Sequence, residues 1–137
     1  MSRRPLPHPN ADTRPFWDGC AAGELRYQRC GHCGRVQLIP RSRCDACQGT
    51  ALAWQRSGGR GRILSHTTVH RAPSEAFRSE LPYVIALVDM DEGFRLMANV
   101  QGGAEPALAI GQPVRIGFVD VDGTALPIVQ RLDEAGA

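Results

Sequence analysis

The spacing of apolar positions changes twice along this chain. Over residues 13–22 apolar side chains recur four apart, Phe16 with Cys20 and Trp17 with Ala21, the stripe of a short helix. Asp12 or Thr13 is placed to cap that helix, Pro15 falls in its first turn and Gly23 lies just past its end. Alternation then takes over. "ELRYQRC", "RVQLIP" and "ALAWQRS" each read as a short strand, and "SGGRGR" breaks the chain as a flexible hinge between two modules. From Arg62 onward only strands are predicted: "RILSHTTVH", "YVIALVDM", "FRLMANVQ", "VRIGFVDVD" and "TALPIVQRL", rich in β-branched and aromatic residues and bounded by turn residues. "DMDEGF" joins the second and third of these through a tight turn, where Gly93 can take the positive φ of a short hairpin loop. "RAPSEAFRSELP" and "GGAEPALAIGQP" are the longer crossings, and the whole pattern suits a small Greek-key barrel of the OB type.

"CGHCGRVQLIPRSRCDAC" places Cys30, Cys33, Cys44 and Cys47 as two C-x-x-C pairs on the knuckles between the first three strands. Each knuckle offers two sulfurs to one ion, and two strands bring the knuckles together, which is the requirement of tetrahedral thiolate ligation. Gly31 and Gly34 keep side-chain bulk away from the first knuckle. Four sulfurs leave no coordination position for water or substrate, so the expected ion is structural zinc. A ribbon of about 30 residues buries too little surface to fold unaided, and metal binding contributes on the order of 10 kcal/mol in such units. Two disulfides are the alternative, and iron in the same cage would make a rubredoxin-like electron carrier. The predicted fold is mainly β. A disordered N-terminus spans 1–12, a helical segment 13–24, a rubredoxin-like zinc ribbon 25–57, a five-stranded OB-fold barrel 58–132 and a C-terminal tail 133–137.

Composition narrows the function classes. With 137 residues, 42% apolar and 22% charged, the chain fits one ordinary domain or two small modules. No apolar run approaches the ~20 residues of a membrane helix, and the Arg-rich start lacks the apolar stretch of a signal peptide, so a cytoplasmic protein is expected. All sixteen basic residues are arginine. Residues 1–62 hold eleven of them against Asp12, Asp18, Glu24 and Asp45, whereas residues 63–137 hold five against ten acids. The first half is therefore basic and the barrel half acidic, a balance that lets the first half meet phosphates without making the whole a nucleic-acid binder.

Several other features invite chemical readings. His66 and His70 have the spacing of a helical zinc pair, but on a strand four residues span about 13 Å and the two cannot share an ion. "GGRGR" lacks the lysine and hydroxyl of a phosphate loop. Asp89, Asp91 and Glu92 crowd a hairpin turn, where acidic residues are ordinarily just solvated. Cys20 reads as a small apolar residue on the helix stripe, and His32 as a solvated knuckle residue. No catalytic constellation emerges. Phe16 and Trp17 are read either as exposed anchors for a partner or as core packing of the helix.

The succession "PFWDGCAAGEL", "CGHCGRVQLIPRSRCDAC", "SGGRGRILSHTTVH", "LPYVIALVDMDEG" and "IGQPVRIGF" resembles the bacterial and archaeal zinc-ribbon plus OB-fold proteins described as acyl-CoA-associated. The resemblance runs from about Thr13 to Arg131. It implies a non-catalytic subunit that accompanies thiolase-like enzymes, including lipid-transfer-type thiolases and aldolases, or hot-dog-fold enoyl-CoA hydratases in lipid or steroid metabolism. It also implies acyl-CoA as a ligand of the chain or of its partner. Guanidinium forks suit phosphate, so Arg41 and Arg43 between the knuckles and Arg60 and Arg62 at the hinge are candidates to meet CoA, or else solvated charges. Single-stranded nucleic acid is the alternative partner, since ribbons and OB barrels both serve that role.

Overall fold

A computed structural model describes residues 6–71, 75, 81–103 and 107–132. The expected disorder of residues 1–5, the tail at 133–137 and most of the "RAPSEAFRSELP" crossing lie outside the described residues.

The predicted helix is present as α1 (Arg14–Ala21), but its cap differs from expectation. Neither Asp12 nor Thr13 caps it through a side chain. Asn10 instead accepts the N–H groups of Asp12 and Thr13 at 2.9 Å each, and its own N–H donates to Thr13 Oγ1. The chain is thus organised from Asn10, two residues earlier than the apolar pattern indicated, because a short amide side chain mimics a backbone turn. Gly23, at φ +77°, ends the helix as predicted.

Three short strands follow, β1 (Arg26–Cys30), β2 (Val36–Gln37) and β3 (Leu52–Arg56), forming an antiparallel sheet in the order β2-β1-β3. The barrel strands are β4 (Arg60–Val69), β5 (Tyr83–Met90), β6 (Arg95–Asn99), β7 (Pro113–Val121) and β8 (Thr124–Arg131), in the order β6-β5-β4-β7-β8. A parallel bridge, Val100 to Val129, draws the two outer strands together, and the Gln101 N–H donates to the Val129 carbonyl at 2.8 Å. Outer strands meeting in the parallel sense, with all other pairs antiparallel, is the OB arrangement. Among the described residues the fold is mainly β with one short α-helix.

Helix, ribbon and barrel share one core. Phe16 and Cys20 of α1 and Leu25 and Tyr27 of the ribbon cluster with Ile63, Val88, Val114 and Val129 of the barrel. Tyr27 stacks on Phe94 at 4.8 Å between ring centres. Arg26 straps the helix from outside, donating to the Pro15 carbonyl at 3.2 Å and pairing with Glu24.

"SGGRGR" is a locked corner, which corrects the flexible hinge read from its glycines. Glu92, expected to be only solvated, accepts from Ser57 Oγ at 2.8 Å and from the Gly58 N–H at 2.7 Å. Strand β4 begins inside this stretch, and Gly61 is buried where a Cβ would stand 2.6 Å from the Asp89 carbonyl oxygen. Only glycine admits so close a crossing of β5.

Candidate metal centre

The two knuckles are copies of one turn. In the first, Gly34 takes φ +80° and its N–H donates to the Cys30 carbonyl at 2.9 Å; in the second, Gln48 takes φ +64° and donates to the Cys44 carbonyl at 3.0 Å. Each turn folds backbone N–H groups onto sulfur. His32 and Cys33 donate to Cys30 Sγ, Ala46 to Cys44 Sγ and Gly49 to Cys47 Sγ, all at 3.4 Å. Those donors favour thiolate. The N–H groups of Cys33 and His32 bring the Cys30 thiol down to about 6, and those of Cys47 and Ala46 lower Cys44.

The four sulfurs lie within 4.8 Å of one another. Cys30 and Cys47 approach to 3.6 Å and Cys33 and Cys44 to 3.5 Å, and no disulfide joins them. One tetrahedral ion with sulfur at about 2.3 Å sets its ligands about 3.8 Å apart, so the cluster fits a single zinc ion with all four positions taken. Zinc here would hold two turns of the chain together.

What sequence reasoning missed is the amide pair beneath the loop joining the knuckles. Gln28 and Gln37, both buried, bond to each other at 2.8 Å. Gln28 also accepts the Arg41 N–H and donates to the Arg41 carbonyl, each at 3.0 Å, as a strand partner would. Alternation gave no sign of this, because a glutamine on a short strand looks like any solvated position.

The loop so held presents Arg41 and Arg43 along one shallow cavity beside the second knuckle. Arg41 also faces a larger cleft between ribbon and barrel, of about 470 Å³, together with Arg95 and with Arg35, which is neutralised by Asp45 at 2.6 Å. Arg60 and Arg62 stand exposed on β4, Arg62 donating to the Gly111 carbonyl at 3.1 Å. Neither of these two cavities is lined by Arg60 or Arg62.

Phe16 is buried and meets Trp17 edge-on at 4.9 Å; Trp17 alone of the two keeps a half-exposed ring, so the proposed anchor pair divides into one core residue and one surface residue. Cys20 is buried, and burial pushes its thiol up to about 11, as befits a packing residue. His66 and His70 are both exposed. Every described aromatic ring is buried or half-buried.

A ribbon carrying a four-sulfur cage, fused to an OB barrel, defines the class. Residues 17–53 match the model of the ChsH2 rubredoxin-like zinc ribbon domain, and residues 54–119 that of the ChsH2 C-terminal OB-fold domain. The chain belongs to this ChsH2, or DUF35, family. It is 37% identical to a Mycobacterium tuberculosis "3-oxo-4,17-pregnadiene-20-carboxyl-CoA hydratase alpha subunit" over 83% of its length, and spans 36% of that protein. It is 31% identical to a Methanocaldococcus jannaschii "DUF35 domain-containing scaffold protein", covering 66% of this chain and 64% of that one. It therefore spans about a third of the first of these curated relatives and less than two thirds of the second. A chain of the solved "Ltp2-ChsH2(DUF35) aldolase" superposes with a TM-score of 0.81 at 31% identity, over 92% of this chain and 98% of that one. Among the described residues no helix is long and apolar enough to cross a membrane.

Proposed function

We propose that this chain is a non-catalytic accessory subunit of an acyl-CoA enzyme, seated on a thiolase-like partner of the aldolase type or on a hot-dog-fold enoyl-CoA hydratase. Lipid or steroid side-chain metabolism is its setting. The observation that carries this reading is the match along nearly the whole chain to a component of an aldolase named for two proteins. The relatives named hydratase alpha subunit and scaffold protein point the same way. The site chemistry agrees: zinc on Cys30, Cys33, Cys44 and Cys47 has no open position for substrate, so the metal serves the fold. Where the partner delivers an acyl-CoA, its phosphates meet the cationic side of the chain. Arg41 and Arg43 are the better placed pair, because their loop is held by Gln28, and Arg60 and Arg62 are the second.

The test is reconstitution. The acyl-CoA enzyme that copurifies with this chain from its own cells is assayed with and without it, and metal content is measured on the purified chain. One zinc per chain, and a partner that loses turnover or stability alone, is the expected result. A partner working at full rate and stability without this chain overturns the proposal.

A further inference from the structure

Among the described residues, three of the four exposed large apolar side chains, Ile39 (66% exposed), Met97 (69%) and Val119 (37%), stand along one strip with Trp17 in its middle. On one side of the Trp17 ring a cavity of about 160 Å³ opens onto the loop after β2, lined by Phe16, Leu38, Ile39 and Pro40. On the other side a cavity of about 500 Å³ lies between the edges of β6 and β8, where Met97, Leu126 and Ile128 flank it. Eighteen described residues line the two, and none is charged. In a chain with 22% charged residues an average surface of that size would hold about four.

From this we infer that the Trp17 strip is the surface on which the acyl-CoA enzyme subunit docks, an inference that rests on the reading above and names the face it uses. Loss of charge together with exposed Met, Trp and branched aliphatic side chains marks the centre of a protein interface. No charged residue lines either cavity, and the Arg131 guanidinium at the rim is taken up by the Gln101 and Gly103 carbonyls at 2.8 and 2.7 Å, so this face disfavours phosphate and is distinct from the arginines of the knuckle loop. Strand order adds a second reason. Strands β6 and β8 are the outer members of the sheet, each with one ladder partner and one bridge between them, so backbone groups at this gap are open to another chain. The strip also crosses both modules, α1 and the ribbon loop on one side and the barrel on the other. A partner seated there clamps the two together.

The copurified enzyme subunit is titrated calorimetrically with the wild-type chain and with Met97→Glu and Ile39→Glu. Both positions are exposed, so a carboxylate is accommodated without unfolding. A loss of affinity of tenfold or more in both variants, with melting temperature and zinc content unchanged, supports the surface. Ala53→Glu, on the far edge of the ribbon sheet, keeps wild-type affinity. A photo-reactive side chain at Met97 crosslinks to the subunit. If both variants bind as wild type, this docking face is wrong while the accessory role stands. If the chain copurifies with no acyl-CoA enzyme, the role itself falls and the inference with it. If light scattering shows the chain alone as a dimer that Met97→Glu makes monomeric, the strip belongs to a second copy and the inference is overturned.

Discussion

The two knuckles differ at one residue that a left-handed turn makes costly. Gly34 and Gln48 occupy the same place in their turns, at φ +80° and +64°, and each donates its N–H to the carbonyl of the first cysteine. For an L-residue with a Cβ the left-handed region costs about 1–2 kcal/mol, which glycine avoids while giving up more entropy on folding. Gln48→Gly is therefore expected to raise the stability of the zinc-loaded chain by up to ~1 kcal/mol, and Gly34→Ala to lower it by ~1 kcal/mol. Thermal unfolding of the two variants, at constant zinc, checks both signs. The cysteine spacing was enough to bring four sulfurs together on paper, because C-x-x-C geometry is local. The support of Arg41 by Gln28 was invisible, because it depends on which face of β1 the loop crosses.

At the level of the element, β-branched runs and turn residues located all eight described strands, and the main departure lies in the glycine run. "YVIALVDM" predicted β5 residue for residue: Val84, Ala86, Val88 and Met90 bury one face, while Ile85, Leu87 and Asp89 on the other are half-buried or exposed, which fixes the register. "SGGRGR" misled because glycine signals freedom locally, whereas here it signals space. Gly61 pairs with Met90 and lies against β5 so closely that an added Cβ would meet the Asp89 carbonyl oxygen at 2.6 Å, Val88 Cγ1 at 2.7 Å and Met90 Cα at 3.1 Å. Two of those atoms are backbone and cannot step aside without moving the strand. Gly61→Ala should destabilise the chain by about 1–3 kcal/mol, the range for overpacking a tight interior. The corresponding change at Gly111 adds a Cβ with nothing within 4 Å and is limited to the strain of its φ of +86°. Chemical denaturation of the pair distinguishes a crowded glycine from a merely left-handed one; equal losses would mean that β4 shifts freely.

Across the whole molecule, what matters is whether ribbon and barrel are two bodies on a hinge or one. Composition and the glycine run favoured two, and the chain's charge asymmetry agreed. The packing favours one: Leu25 and Tyr27 belong to the same buried cluster as Val88 and Val129, Tyr27 stacks on Phe94, and Glu92 bonds the barrel hairpin to Ser57 and Gly58. Zinc removal should then reach beyond the ribbon. A loaded cage holds β1 in place, and β1 holds Tyr27 against the barrel; when the thiolates lose their ion, by a strong chelator or by protonation in acid, the ribbon strand loosens and part of the barrel's cover goes with it. The expected outcome is a single cooperative melt in the zinc form. In the chelated form the melting temperature of the barrel is lower by several degrees, because one uncovered aromatic contact and its neighbours represent about 1–3 kcal/mol. Hydrogen exchange supplies the residue-level check: amides of β5 and β6 near Met90 and Phe94 should exchange faster after chelation, while those of β7 and β8 far from the ribbon keep their protection. An unchanged barrel melt with two separate transitions would mean that the modules fold independently, and that the corner at Ser57 to Gly61 joins them without coupling them.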